Sequence, residues 1–129
     1  MDATELSDRL ERDRNAWLCT LRRDGSPHVT PVWFVYLEGT FWISSGERNV
    51  KVRNLRSDAR VSIALEDGDR PAVAEGRARV HTEPLRGDVL AAIAAKYGGW
   101  NAGVEVEPFG RRVLIEVPVG RWLLKGAAQ

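Results

Sequence analysis

Residues 41–55 read FWISSGERNVKVRNL. An apolar run ends in Ser44, Ser45 and Gly46, and the cations Arg48, Lys51 and Arg53 follow on what the pattern predicts as a short helix. A strand exit that meets a helix start offers hydroxyls, backbone N–H groups and positive charge to one spot, the combination that holds a phosphate. The same residues also describe a solvated basic helix after a hairpin, so a phosphate-bearing ligand and a plain helix face both stand as readings of this segment.

A second unusual feature lies upstream. Pro31 sits in the run SPHVTPVWFVY, where a proline removes one ladder hydrogen bond and is tolerated only at edges or bulges. The backbone at Thr30 and Val32 is therefore a candidate to bond something other than a strand. Trp33 follows two positions on, on the face of Pro31, so a planar ligand laid along this strand would meet an indole and backbone polar groups. Trp42, one strand later, is read as core, and Trp33 stands between core and site.

The usual catalytic constellations are missing. His28 and His81 stand alone with no HxxxH or CxxC spacing around them, which argues against a zinc or two-metal site. Ser44 and Ser45 belong to no GxSxG elbow, and there is neither a GxGxxG nor a P-loop. Cys19 has no basic neighbour to activate its thiol and is read as a small core residue. No side chain stands out as a proton donor; His28, Tyr36 and Tyr97 qualify by type alone, each with a structural role as the competing reading. An enzyme built this way takes its reactivity from a bound cofactor and contributes position and electrostatics.

These residues must be positioned by elements that the pattern outlines. Residues 4–12 predict an amphipathic helix, with Leu6 and Leu10 a turn apart, over one end of the fold. From Ala16 the period is two, and Asp24-Gly25 predicts a tight hairpin with both central residues at positive φ, ahead of the strand 26–36. A strand at 40–45 follows the Glu38-Gly39 turn, then a helix at 48–56, a strand at 60–66 and another from 72 to 81. Leu85, Val89, Ile93 and Tyr97 recur every four residues, predicting a helix that Gly98-Gly99 ends. Two closing strands, 112–117 and 121–125, are parted by Pro118 and Gly120. The sum is mostly β, six or seven antiparallel strands with two to three helices, and closure into a barrel is the economical way for so many strands to avoid exposed edges.

The chain has 129 residues, Lys+Arg 19 against Asp+Glu 18 and a net charge of +1. One domain over 1–129 is expected. The near-neutral balance argues against a nucleic-acid-binding barrel, for which Trp33, Phe34, Tyr36 and Trp42 would be the stacking residues. No apolar run reaches the ~20 residues that span a bilayer. The acidic start MDATELSDRLERDRN lacks the basic and apolar parts of a secretory signal, so a cytoplasmic location is expected.

Taken in order, AWLCTLRRDGSPHVTPVWFVY, FWISSGERNVKVRNLRSDARVSIAL, AVAEGRARV and RRVLIEVPVGRW resemble the pyridoxamine 5'-phosphate oxidase-like (PPOX) family of split β-barrel proteins, which bind flavin mononucleotide (FMN) or a deazaflavin. The runs beginning at Asp24 and at Lys51 are most similar to its actinobacterial branch, many members of which resemble users of coenzyme F420. The resemblance implies a split barrel that forms a homodimer with two cofactor sites at the interface. It implies that Thr30, Pro31, Val32 and Trp33 lie against the tricyclic ring, and that Ser44, Ser45, Arg48 and Lys51 receive the phosphate. Lys51 matches the family's phosphate-binding lysine. The basic position two residues before it in many relatives is Asn49 here, with Arg48 one place earlier. Trp100, Arg121 and Trp122 would belong to the partner's contribution or to the substrate side.

The activity implied is hydride transfer at the ring, by an F420-dependent reductase acting on a small electron-poor acceptor. An FMN-dependent oxidase or flavin reductase and a non-catalytic carrier of flavin, F420 or haem are the alternatives. The longer anionic tail of F420 would need a basic groove beyond the phosphate, for which Arg48, Arg53, Arg56 and Arg60 are candidates; a soluble helix face is the competing reading.

Overall fold

The computed structural model describes residues 2–127. Helix α1 (Ala3–Arg12) leads into β1 (Ala16–Leu21), β2 (Pro27–Val32), β3 (Val35–Leu37) and β4 (Thr40–Gly46). After α2 (Val50–Ser57) come β5 (Arg60–Leu65), β6 (Ala72–Arg77), β7 (Arg79–His81), α3 (Gly87–Lys96) and the long β8 (Arg112–Lys125). The strands pair antiparallel in the order β2-β1-β5-β6-β8-β4-β3, and β7 continues the line of β6 along β8. This is the mostly β split-barrel architecture expected from the sequence.

Several details differ from the sequence reading. The two closing strands are one: β8 pairs with β4 up to Pro118 and with β6 from Val119 onward, so Pro118 and Gly120 mark a change of partner rather than a gap. Backbones pass so closely there that a Cβ on Gly76 would lie 2.4 Å from the Pro118 carbonyl oxygen. Conversely, the run 26–36 is split into β2 and β3, and the run 72–81 is broken at Ala78. Asp24 is not at positive φ: Gly25 alone is (φ 85°), and Asp24 instead accepts from the Ser26 amide (2.9 Å) and hydroxyl (2.6 Å). The tight turn with two left-handed residues is Glu38-Gly39 (φ 49° and 78°), which matches the twist of its flanking strands.

The curl does not close, because its ends are β2 and β3 and these do not pair with one another. Between them, Phe34 turns its backbone to a side chain. Its N–H donates to the Tyr97 hydroxyl at 2.8 Å, and that hydroxyl lies 3.0 Å from the Phe34 carbonyl and 2.8 Å from the Arg14 carbonyl. Tyr97, at the end of α3, thus meets backbone needs that a neighbouring strand would otherwise meet.

Inside the curl, Leu18, Phe34, Phe41, Ile43, Ile63 and Ile115 form the main core, with Val52 and Leu55 of α2 plugging one end. Each such side chain contributes about 1.5–3 kcal/mol on burial. A second cluster joins Trp42 and Leu114 to Val89, Ile93 and Tyr97 under α3. Leu10 of α1 is buried and Leu6 packs on the main core. Cys19 is not core: alternation along β1 sends Leu18 and Thr20 inward and leaves the thiol half-buried on the outer face. No helix among the described residues is long and apolar enough to cross a membrane.

Candidate functional site

At the exit of β4 a cavity of about 410 Å³ opens between Pro31, Val32 and Trp33 on one side and Ser44, Ser45 and Gly46 below. Asn49 and Lys51 come to it from α2, Trp100, Val106 and Phe109 from the loop after α3, and Arg112 from the start of β8. Of the eight residues singled out from sequence, six line it; Thr30 and Arg48 do not. Thr30 shares the inward face of β2 with His28, and the Thr30 Oγ1 and His28 Nδ1 atoms are buried without a hydrogen-bond partner. Arg48 is exposed and lines a separate concavity of about 480 Å³ with Glu47, Arg53 and Arg56.

Arg48 is turned away by its own backbone. Its N–H donates to the Phe109 carbonyl (2.9 Å), and the Glu47 N–H donates to the Arg111 carbonyl (2.8 Å). Backbone donors expected to be free at the strand exit are therefore occupied by the returning loop. Asn49 caps α2 by accepting from the Lys51 amide at 3.4 Å, and its Oδ1 also accepts from Lys51 Nζ at 3.1 Å.

Sequence reasoning missed Arg112. Its signal is a register, Gly46 opposite Arg112 and Ser44 opposite Leu114 across β4 and β8, which one sequence does not contain. Arg112 is 8% exposed. Its Nε donates to the Ala102 carbonyl (3.1 Å), and its Nη2 donates to Ser44 Oγ (2.8 Å). Ser44 in turn donates to the Ala102 carbonyl at 3.0 Å. The Ser45 hydroxyl has no protein partner among the described residues and is not sealed from the cavity.

Neither cation facing the cavity has a carboxylate partner: among the described residues, no ion pair includes Lys51 or Arg112. Burial pushes the Lys51 ammonium below its ordinary pKa, with the nearby Arg112 charge adding to the effect, and burial lowers Arg112 as well. Two like charges are thus held together and partly dehydrated, an arrangement that an arriving anion relieves.

The mouth is aromatic. Trp33, 38% exposed, stacks on Tyr97 with centroids 4.4 Å apart and meets the Trp100 ring edge-on at 5.5 Å. The Arg14 guanidinium lies 4.7 Å from the Trp33 ring centroid. Trp100 therefore lines the cavity of its own chain. Arg121 instead pairs with Glu75 on the outer face (2.6 Å), and Trp122 packs inside the curl near Tyr36 and Phe41. Arg60 does not join the basic concavity, since Asp58 holds it at 2.7 Å. Among the proton-donor candidates, His28, Tyr36 and Tyr97 do not line the cavity, and Tyr97 is committed to backbone groups. No cluster of three or more His, Cys, Asp or Glu suited to a metal occurs among the described residues.

Residues 3–126 match the sequence model of the family described as pyridoxamine 5'-phosphate oxidase. The chain belongs to the pyridoxamine 5'-phosphate oxidase-like split-barrel family. Among solved members of this fold, a conserved hypothetical protein from Mycobacterium tuberculosis is 28% identical, with a TM-score of 0.76 over 95% of this chain and 82% of that one. A protein described as an F420 reductase is 24% identical, with a TM-score of 0.71 over 90% and 94% of the two chains. The haem storage protein HutZ from Vibrio cholerae is 18% identical, with a TM-score of 0.80 over 98% and 96%. At such identities the last two likenesses concern the fold.

Proposed function

We propose that this chain is an F420-dependent oxidoreductase that moves hydride between a bound deazaflavin and a small electron-poor organic acceptor. The observation that carries the reading is the pair Lys51 and Arg112, facing one cavity with no carboxylate between them. A phosphate ester supplies the missing negative charge, and the Ser45 hydroxyl is free to donate to it. The mouth formed by Trp33, Trp100 and Phe109 suits a flat ring beside the anion.

A reduced deazaflavin supplies the hydride when bound. The chain's own share is position: Lys51, Arg112 and Ser45 hold the anion, Pro31 to Trp33 border the ring, and Trp100 and Phe109 exclude water. The concavity lined by Glu47, Arg48, Arg53 and Arg56 favours F420 over FMN, because Glu47 follows Gly46 of the main cavity wall in the chain and the three arginines offer cations to an anionic tail. FMN is the second reading, since the anion site would serve its phosphate equally. A haem carrier is disfavoured, as neither His28 nor His81 lines the cavity to act as axial ligand.

We further read the functional unit as a homodimer. Trp17 pairs with Pro31 and Cys19 with Val29 across β1 and β2, so one outer face gathers Trp17, 47% exposed, and Val29, 54% exposed. Pro31 belongs both to this face and to the cavity wall, so a second copy seated there would complete the site.

Side-by-side absorbance and tryptophan-fluorescence titrations with F420 and FMN test the cofactor. F420 is expected to bind at least about tenfold more tightly, a difference of about 1.4 kcal/mol, and the visible band of oxidised F420 is expected to appear from reduced F420 in proportion to added acceptor. Tighter FMN binding would move the assignment to the flavin reading, and F420 binding without turnover would make the chain a carrier.

A further inference from the structure

The loop between α3 and β8 walls the cavity, yet residues 103–109 are exposed and bonded mainly among themselves: Gly103 N–H to Asn101 Oδ1 (3.1 Å), Val104 N–H to the Asn101 carbonyl (3.4 Å) and Phe109 N–H to the Val106 carbonyl (2.9 Å). Besides the packing of Trp100 and Ala102, hydrogen bonds tie the loop to the barrel at two places. The far tie is Phe109 and Arg111, whose carbonyls receive the Arg48 and Glu47 amides. The near tie is the Ala102 carbonyl, which receives both Arg112 Nε at 3.1 Å and Ser44 Oγ at 3.0 Å.

A guanidinium carries five N–H donors in one plane. Arg112 spends one on Ala102 and one on Ser44, leaving Nη1 with no protein partner among the described residues and not sealed from the cavity. One edge of the fork therefore holds the loop while the rest faces the space where an anion would sit.

We propose that Arg112 is a positioning residue that couples a phosphate group in the cavity to the 97–111 loop, so that anion binding fixes the Trp100 and Phe109 walls. This rests on the phosphate reading of the site. An anion on the open side of the fork adds a further anchor to a side chain already held at Ala102 and Ser44, and the Ala102 tie is strengthened with it. By linkage, a loop already held by Arg112 binds the anion more tightly. Lysine carries the same charge but not the planar fork, so Arg112→Lys separates charge from coupling.

Amide hydrogen exchange read by mass spectrometry, with and without saturating FMN or F420, tests this. Without ligand, Arg112→Lys should speed exchange across residues 102–109 by at least about tenfold and leave β5 unchanged; Ser44→Ala should give a smaller acceleration in the same segment. In wild type, ligand should slow loop exchange a further tenfold or so. In Lys51→Ala at saturating ligand this slowing should persist, and in Arg112→Lys it should be lost. Unchanged loop exchange in ligand-free Arg112→Lys would overturn the coupling whatever binds, as would loop protection that follows occupancy alike in both lysine-site and arginine-site variants. Failure of wild type to bind either coenzyme, with the ligand-free loop effect intact, would instead refute the phosphate reading and confine Arg112 to holding the loop.

Discussion

Replacing Lys51 by methionine should affect folding and binding in different measure. Lys51 keeps one side-chain hydrogen bond, to Asn49 Oδ1 at 3.1 Å, worth about 1 kcal/mol, and methionine retains most of the aliphatic packing. Against that loss, the substitution removes a partly dehydrated charge and its repulsion from Arg112. The two nearly cancel, so stability should stay within about 1 kcal/mol, a Tm shift of no more than roughly 5 °C for a domain of this size. Binding has no such compensation. Losing a charge-assisted hydrogen bond to a phosphate costs about 1.5–3 kcal/mol, a fall in affinity of roughly 10–150-fold. Thermal melts and coenzyme titrations of one preparation read both quantities. A Tm loss worth more than about 2 kcal/mol together with unchanged affinity would make Lys51 a structural residue and refute the argument.

Other substitutions probe the elements around the site. Gly46→Ala should cost about 1–3 kcal/mol in chemical denaturation and weaken coenzyme binding, because its Cβ would lie 2.4 Å from Phe109 Cβ and 2.5 Å from the Phe109 carbonyl oxygen. Tyr97→Phe strips the hydroxyl from three backbone groups of Phe34 and Arg14; a loss of about 1–3 kcal/mol is expected in urea melts. Lys96, whose Nζ lies 3.8 Å from the Phe34 ring centroid, is pushed down to about 8 by burial from an ordinary 10.5. Its charged form is penalised in the folded state below about pH 8, and that penalty is relieved as pH rises from about 8 towards 10.5. The Tm of Lys96→Met relative to wild type should therefore fall between pH 7 and pH 10; a difference independent of pH would contradict this.

The alternation from Ala16, the four-residue recurrence from Leu85 and the glycine stops made the sheet and α3 legible, because local periodicity reports which face is buried. The interruptions were less legible. Pro118 and Gly120 carry the signature of a strand end, yet backbone pairing on both sides carries β8 through them. At the site, residues of the β4–α2 corner could be read from one segment, since strand exit and helix start are neighbours in the chain. Arg112 could not, because its place beside Ser44 depends on strand register, and Arg48 was misplaced because the loop that claims its amide lies sixty residues downstream.

The central claim is that Lys51, Arg112 and Ser45 grip a phosphate. Comparing forms that differ in the phosphate alone isolates that group: FMN against riboflavin, and the corresponding deazariboflavin 5'-phosphate against deazariboflavin. The phosphorylated form with the physiological ring should bind at least about a hundredfold more tightly, roughly 2.7 kcal/mol, and most of that margin should vanish in a Lys51→Met, Arg112→Met double variant. Equal affinities for the phosphorylated and unphosphorylated forms in the wild-type protein would contradict the account.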